Sequence, residues 1–152
     1  MLDKSLVGYE FAPRFAEVER GQLRFFAKAT GETNQIYFDE RAARAAGHPT
    51  LPAPPTFLYS LELLAPDPRD NLGLLGIDIG RVLHGEQRFT YFHQIYAGDR
   101  IKLSTRISDI YDRKGGALEF VVQDTTAENQ HGVTVGAART VLVVRNGGAP
   151  DE

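Results

Sequence analysis

The sequence predicts an α+β fold in which an antiparallel sheet wraps around one central apolar helix. Three features predict it. A nearly uncharged stretch, Pro54 to Ala65, stands between prolines; the other segments with helical spacing lie early in the chain; and from residue 82 onward the apolar period changes to two.

Taken in order, residues 16–29 place Val18, Leu23, Phe26 and Ala27 at near-helical spacing, and Gly31 supplies a stop, so a helix is expected there. Asp39 to Gly47 has an acidic start, a basic middle and a glycine end, the charge order that suits a short helix. After a Pro-rich loop comes Pro54-Pro55-Thr56-Phe57-Leu58-Tyr59-Ser60-Leu61-Glu62-Leu63-Leu64-Ala65, stopped by Pro66 and Pro68. Prolines open and end helices well. Only Glu62 is charged and the apolar residues point all round, so this helix should be buried on most sides; its length rules out a membrane span.

Ile101, Leu103, Thr105 and Ile107 then alternate with Lys102, Ser104, Arg106 and Ser108, the pattern of a half-buried strand, and Leu118, Phe120 and Val122 repeat it. Arg113-Lys114-Gly115-Gly116 and Glu128 to Gly132 are turn chemistry. Strands near 82–93, 100–111, 117–126 and 133–145 should form an antiparallel meander, with a bulge at Gly136. A central helix under such a sheet is the hot-dog arrangement. One domain over residues 1–145 is expected, followed by a flexible tail, 146–152.

Composition narrows the function classes. A hydrophobic fraction of 42% and a charged fraction of 24% are those of a globular chain with a real core. A net charge of -3 gives no broad basic field for phosphate backbones, so no nucleic-acid partner is expected. Cysteine is absent, which removes disulfides, thiolate nucleophiles and Cys-based zinc sites together and fits a reducing cytosol. No membrane span and no apolar leader are seen, and the expected location is cytoplasmic.

Three stretches carry a family likeness: Phe26-Ala27-Lys28-Ala29-Thr30-Gly31-Glu32-Thr33-Asn34-Gln35-Ile36-Tyr37-Phe38, then Ala53-Pro54-Pro55-Thr56-Phe57, then Leu83-His84-Gly85-Glu86-Gln87-Arg88-Phe89 running on to Ala97-Gly98-Asp99. Together they resemble the MaoC-like dehydratases and (R)-specific enoyl-thioester hydratases, and more closely the N-terminal, dehydratase-type half of that family. The resemblance covers about residues 5 to 145. It implies reversible addition of water across the double bond of a 2-enoyl thioester carried on coenzyme A or acyl carrier protein, with no further cofactor. In catalytic members a Gly-Asp-x-Asn-Pro-x-His loop supplies an aspartate and a histidine that hold the water and move the proton. A backbone N–H at the start of the central helix polarises the thioester carbonyl. By resemblance that helix start lies at Pro55, Thr56 and Phe57.

This chain departs from the loop at its chemical positions. Gly31 and Asn34 match, but Glu32 stands at the aspartate position, Gln35 at the proline and Tyr37 at the histidine. A tyrosine with a reference pKa of about 10 is a poor replacement for a histidine near 6.5. Glu32 moves its carboxylate by one methylene, and a displacement of roughly 1 Å can cost about a hundredfold in rate. Family enzymes often pair two unlike hot-dog units, one carrying Asp and His and the other shaping the acyl tunnel. A tyrosine at the histidine position and a His-Gly-Glu-Gln strand mark the second kind. The resemblance therefore implies a substrate-holding subunit, dimeric with itself or with a second hot-dog chain bearing the Asp and His. Candidate residues are Glu32, Asn34 and Tyr37 in the degenerate loop, and Pro55, Thr56, Phe57, His84, Gly85 and Glu86 for substrate.

Other readings of the same residues stay open. Glu32 and Asn34 are also the material of a polar turn, and Tyr37 and Phe38 of a core aromatic pair. The alternation puts His84 and Glu86 on one strand face with Arg88 and Thr90, opposite Phe89 and Tyr91. His48, His93 and His131 read as surface residues. Metal-ligand spacing, a dinucleotide fingerprint, a P-loop and a Gly-x-Ser-x-Gly elbow are all missing. The competing functions are a self-sufficient hydratase homodimer using Glu32, a hot-dog thioesterase, and a non-enzymatic acyl-binding dimer.

Overall fold

A computed structural model of the protein describes residues 1–66 and 70–146. Strand β1 (Arg14–Glu17) leads into helices α1 (Arg20–Ala29), α2 (Glu40–Ala45), α3 (Phe57–Leu64) and α4 (Asp70–Leu74). Strands β2 (Val82–Tyr91), β3 (Arg100–Arg113), β4 (Leu118–Glu128) and β5 (Thr134–Arg145) follow. All five strands join one antiparallel sheet in the order β1-β3-β4-β5-β2. The sheet curls over α3, giving the hot-dog fold expected from the sequence.

The alternating residues behave as their period dictates. Ile101, Leu103, Thr105 and Ile107 are buried while Lys102, Ser104 and Arg106 are not. From α3, Phe57, Leu58 and Leu61 enter the core and meet Leu23, Ala27, Leu103 and Val135. A second apolar cluster, with Phe11, Ile107, Ile110 and Val121, fills the far end of the sheet.

Three expectations need correction. The strands are not a simple meander: β3, β4 and β5 run consecutively, but β2 pairs with β5 across the sheet, a non-local choice that local pattern does not encode. The helix expected over 16–29 starts only at Arg20, because Arg14–Glu17 pairs with Arg100–Leu103 and the Val18 N–H donates to the Asp99 carbonyl. Sheet pairing overrides helical spacing there. The central helix begins at Phe57 rather than at the prolines; it is buried or half-buried on most sides as expected, with one side open at Leu63 and Leu64, 55% and 48% exposed. The bulge beside Gly136 is real, since the β4–β5 register skips Val135. Gly136 also has a packing reason, because a Cβ there would lie 3.1 Å from the Thr90 carbonyl oxygen and 3.4 Å from Leu58 Cδ2.

The short second helix forms as its charge order suggests, with Asp39 accepting from the Ala42 N–H at 2.8 Å. No helix among the described residues is long and apolar enough to cross a membrane. Pro68 and tail residues 147–152 lie outside the described residues.

Candidate functional site

A cleft of about 350 Å³ opens at the head of α3, and three segments distant in sequence build it. The first is the loop after α1. Gly31, at φ +75°, turns the chain, and the Glu32 N–H donates back to the Ala27 carbonyl at 2.9 Å. Asn34 then caps a single 3-10 turn, Gln35–Tyr37, by accepting from the Ile36 N–H at 3.2 Å. That turn delivers Tyr37 to the cleft wall. The second segment is Ala53-Pro54-Pro55 with Leu58, and the third is Tyr91 to Ile95, just past the end of β2. Gln94 fastens these two together, its Nε2 donating to the carbonyls of Ala53 at 3.0 Å and Ile95 at 2.9 Å.

Thr56 sits at the junction in the left-handed region, φ +70°. For a β-branched residue that conformation is strained by about 1 to 2 kcal/mol. Its N–H points at Tyr91 and donates to the phenolic oxygen at 2.8 Å. The strain thus aims a helix-start N–H and a tyrosine hydroxyl at one place. Thr56→Gly should relieve it and raise stability by about 0.5 to 1 kcal/mol after the added chain entropy of glycine. A shift of the urea midpoint checks this, and an unchanged midpoint would show the conformation to be unstrained.

Burial pushes the Tyr91 phenol above its ordinary pKa, with the Thr56 N–H acting the other way. Burial likewise raises Tyr37, and the nearby Glu32 carboxylate adds to it. Both hydroxyls are therefore neutral at physiological pH, suited to donating hydrogen bonds and unsuited to abstracting protons.

The structure separates the candidate residues. Of the degenerate loop only Tyr37 lines the cleft. Glu32 folds onto its own turn, one oxygen accepting from the N–H groups of Thr33 at 2.8 Å and Asn34 at 2.9 Å, as the polar-turn reading has it. Pro55 is in the wall, whereas the Phe57 ring is 1% exposed and packs edge-to-face on Phe26 at 5.3 Å. His84 and Glu86 do not share a face. The β2–β5 register slips between them at Gly85, so the alternation reverses. His84 reaches toward α3 while staying exposed, its Nδ1 3.0 Å from the Tyr59 hydroxyl, and Glu86 pairs with Arg88 on the outer side. Within the chain Gly85 makes room for the adjacent strand and not for the central helix: a Cβ there would lie 2.6 Å from Val143 Cγ2 and 3.2 Å from the Val141 carbonyl oxygen.

Tyr91, His93 and Gln94 were missed by sequence reasoning. Tyr91 was legible as an inward residue alongside Phe89, but nothing local tells which end of the helix it meets. His93, expected as a surface residue, is exposed and at the same time part of the cleft. No group of three metal-ligating side chains occurs among the described residues.

Comparison with known proteins places this geometry. Residues 5–138 match the family described as FAS1-like, dehydratase domain region. A UPF0336 protein of Streptomyces coelicolor is 39% identical over 146 residues, covering 95% of each chain. Among solved structures, the C-terminally truncated HadBC (3R-hydroxyacyl-ACP dehydratase) complex of Mycobacterium tuberculosis contains a chain 27% identical, with a TM-score of 0.75 over 91% of this chain and 96% of that one. The ChsH1-ChsH2 complex of the same organism shares the fold, at a TM-score of 0.72 and 24% identity over 93% of this chain and 88% of that one.

Proposed function

Because the chain belongs to the FAS1-like dehydratase-region family, among the MaoC-like hot-dog proteins, we propose that it is the acyl-thioester-holding subunit of a 3-hydroxyacyl-thioester dehydratase or (R)-specific 2-enoyl-thioester hydratase. A second hot-dog subunit supplies the Asp and His. The observation that carries this reading is the cleft at the head of α3, which offers hydrogen-bond donors for a carbonyl and, among the described residues, no carboxylate in its lining. Tyr91 accepts from Thr56, which leaves its own O–H free to donate into the cleft, where a thioester carbonyl oxygen would receive it. Tyr37 offers a second neutral hydroxyl.

Two surfaces suit the partner. Among the described residues strand β2 is an open edge of the sheet, and an unpaired edge of ten residues is a template for another strand. Phe25, Leu63 and Leu64 of α1 and α3 form an exposed apolar face, with Phe25 75% exposed. The HadBC structure is by its description a complex, which supports pairing of this kind.

A second reading rests on His93, which shares the cleft with Tyr37. In it the chain is a self-sufficient hydratase with His93 in place of the missing loop base.

Tyr91→Phe tests the holding role. Loss of one donor to a carbonyl should weaken a short acyl-CoA by about 1 kcal/mol, roughly fivefold in Kd, while free coenzyme A is unaffected. Calorimetry with both ligands measures it, and equal affinities in wild type and variant would remove Tyr91 from the site.

A further inference from the structure

A second cavity, about 290 Å³, lies farther along α3 between that helix and the concave face of the sheet. Leu63, Val82 and Leu142 give it apolar walls, but a polar band crosses it. Strand register sets Gln87 of β2, Thr140 of β5 and Gln123 of β4 side by side. Thr140 donates to Gln87 Oε1 at 2.8 Å, which satisfies that pair in part. Gln123 and Thr140 are only 7% and 6% exposed. The Nε2 atoms of Gln87 and Gln123, and Oε1 of Glu62 on the helix opposite, are buried with no hydrogen-bond partner among the described residues. Glu62 and Gln123 line the cavity, and Gln87 adjoins it through its bond to Thr140, which lines it too; folded proteins rarely leave such atoms unpaired beside a void without a use for them.

The two cavities follow one helix–sheet seam. Leu58 lines the first and Tyr59 the second, and β2 runs from Tyr91 in the first to Val82 in the second. Glu62 stands about 9 Å beyond Thr56 along the helix axis.

We propose that this second cavity receives the distal part of an acyl group that carries its own oxygen function, a ketone or hydroxyl within the chain, in place of a plain hydrocarbon tail. The proposal rests on the acyl-thioester reading above. The carboxamide N–H groups of Gln87 and Gln123 donate to the ligand oxygen. Glu62, whose carboxyl is pushed up to about 7 by burial against an opposing pull from Arg14, faces it as a donor when protonated and an acceptor when not. Tyr59, bonded to His84, closes one side. A saturated tail would fit the volume but would leave all three polar atoms desolvated and unpaired.

The test is calorimetry on the purified protein with a saturated medium-chain acyl-CoA, a series of its keto and hydroxy isomers with the oxygen moved along the chain, and free coenzyme A. At least one oxygenated isomer should bind about tenfold tighter than the saturated compound. Gln123→Leu and Gln87→Leu should each abolish that preference while leaving saturated acyl-CoA bound as well as before or better. Gln87 lies on the edge strand, so its variant serves if the Gln123 variant fails to fold. Equal affinities across the series in wild type, or a preference that survives both substitutions, would overturn the proposal and leave the acyl-thioester reading standing. Binding of no acyl-CoA at all would overturn both.

Discussion

Replacing Glu62 by Gln should make the protein markedly more stable near pH 8 and change little near pH 5. Glu62 is the one charged side chain of the central helix, and burial raises its carboxyl from 4.5 to about 7. The Arg14 guanidinium pulls the other way, but it spends a hydrogen bond, 3.0 Å, on the Glu62 backbone carbonyl and leaves Oε1 without a partner among the described residues. A carboxyl whose folded pKa lies above its unfolded value binds more protons in the folded state. Its stabilising effect is therefore full at low pH and is lost as pH rises from about 4.5 toward about 7. The shift corresponds to about 3 kcal/mol once both states are ionised. Glutamine keeps the shape and never ionises. In a domain of this size the variant should melt roughly 6 °C or more above wild type near pH 8, with the gap closing near pH 5. Melting curves at the two pH values decide it: equal temperatures near pH 8 would show that Glu62 is solvated in the folded protein.

Much of the fold was legible because it is written locally. The period-two run from Ile101 to Ile107 and the nearly uncharged segment from Phe57 to Leu64 state their own structure, and the acidic cap Asp39 announces a helix start. What was not legible depends on partners distant in the chain. Residues 14–17 become a strand only because Arg100–Leu103 is there to pair with them. The placement of β2 beside β5 is a choice among sheet edges that no window of sequence contains. At Gly85 one extra residue in the ladder reversed the face of His84, and a pattern read without register cannot see a bulge. The candidate site was legible in part for the same reason. The family-like loop led to Tyr37 and the helix start led to Thr56, but the group that joins them, Tyr91, comes from the far end of a strand. Glu32 illustrates the opposite case: its own turn claims it, a local outcome that these residues already favoured in the sequence.

In the proposed role this chain holds an acyl thioester without supplying the acid–base pair that hydrates it. Both tyrosines of the cleft are held neutral, and Glu32 is bonded to its own backbone. A missing, well-placed acid–base group costs about 10² to 10⁴ in rate. Turnover of a short 2-enoyl-CoA by the purified chain, alone and after co-purification with a hot-dog partner bearing an Asp and a His, is the most direct measurement. The holding role implies a barely detectable rate for the chain alone, unchanged by Glu32→Gln, and a gain of at least about a hundredfold with the partner. Ordinary turnover by the chain alone, about 1 to 10³ per second, abolished by Glu32→Gln or by His93→Ala, would contradict it.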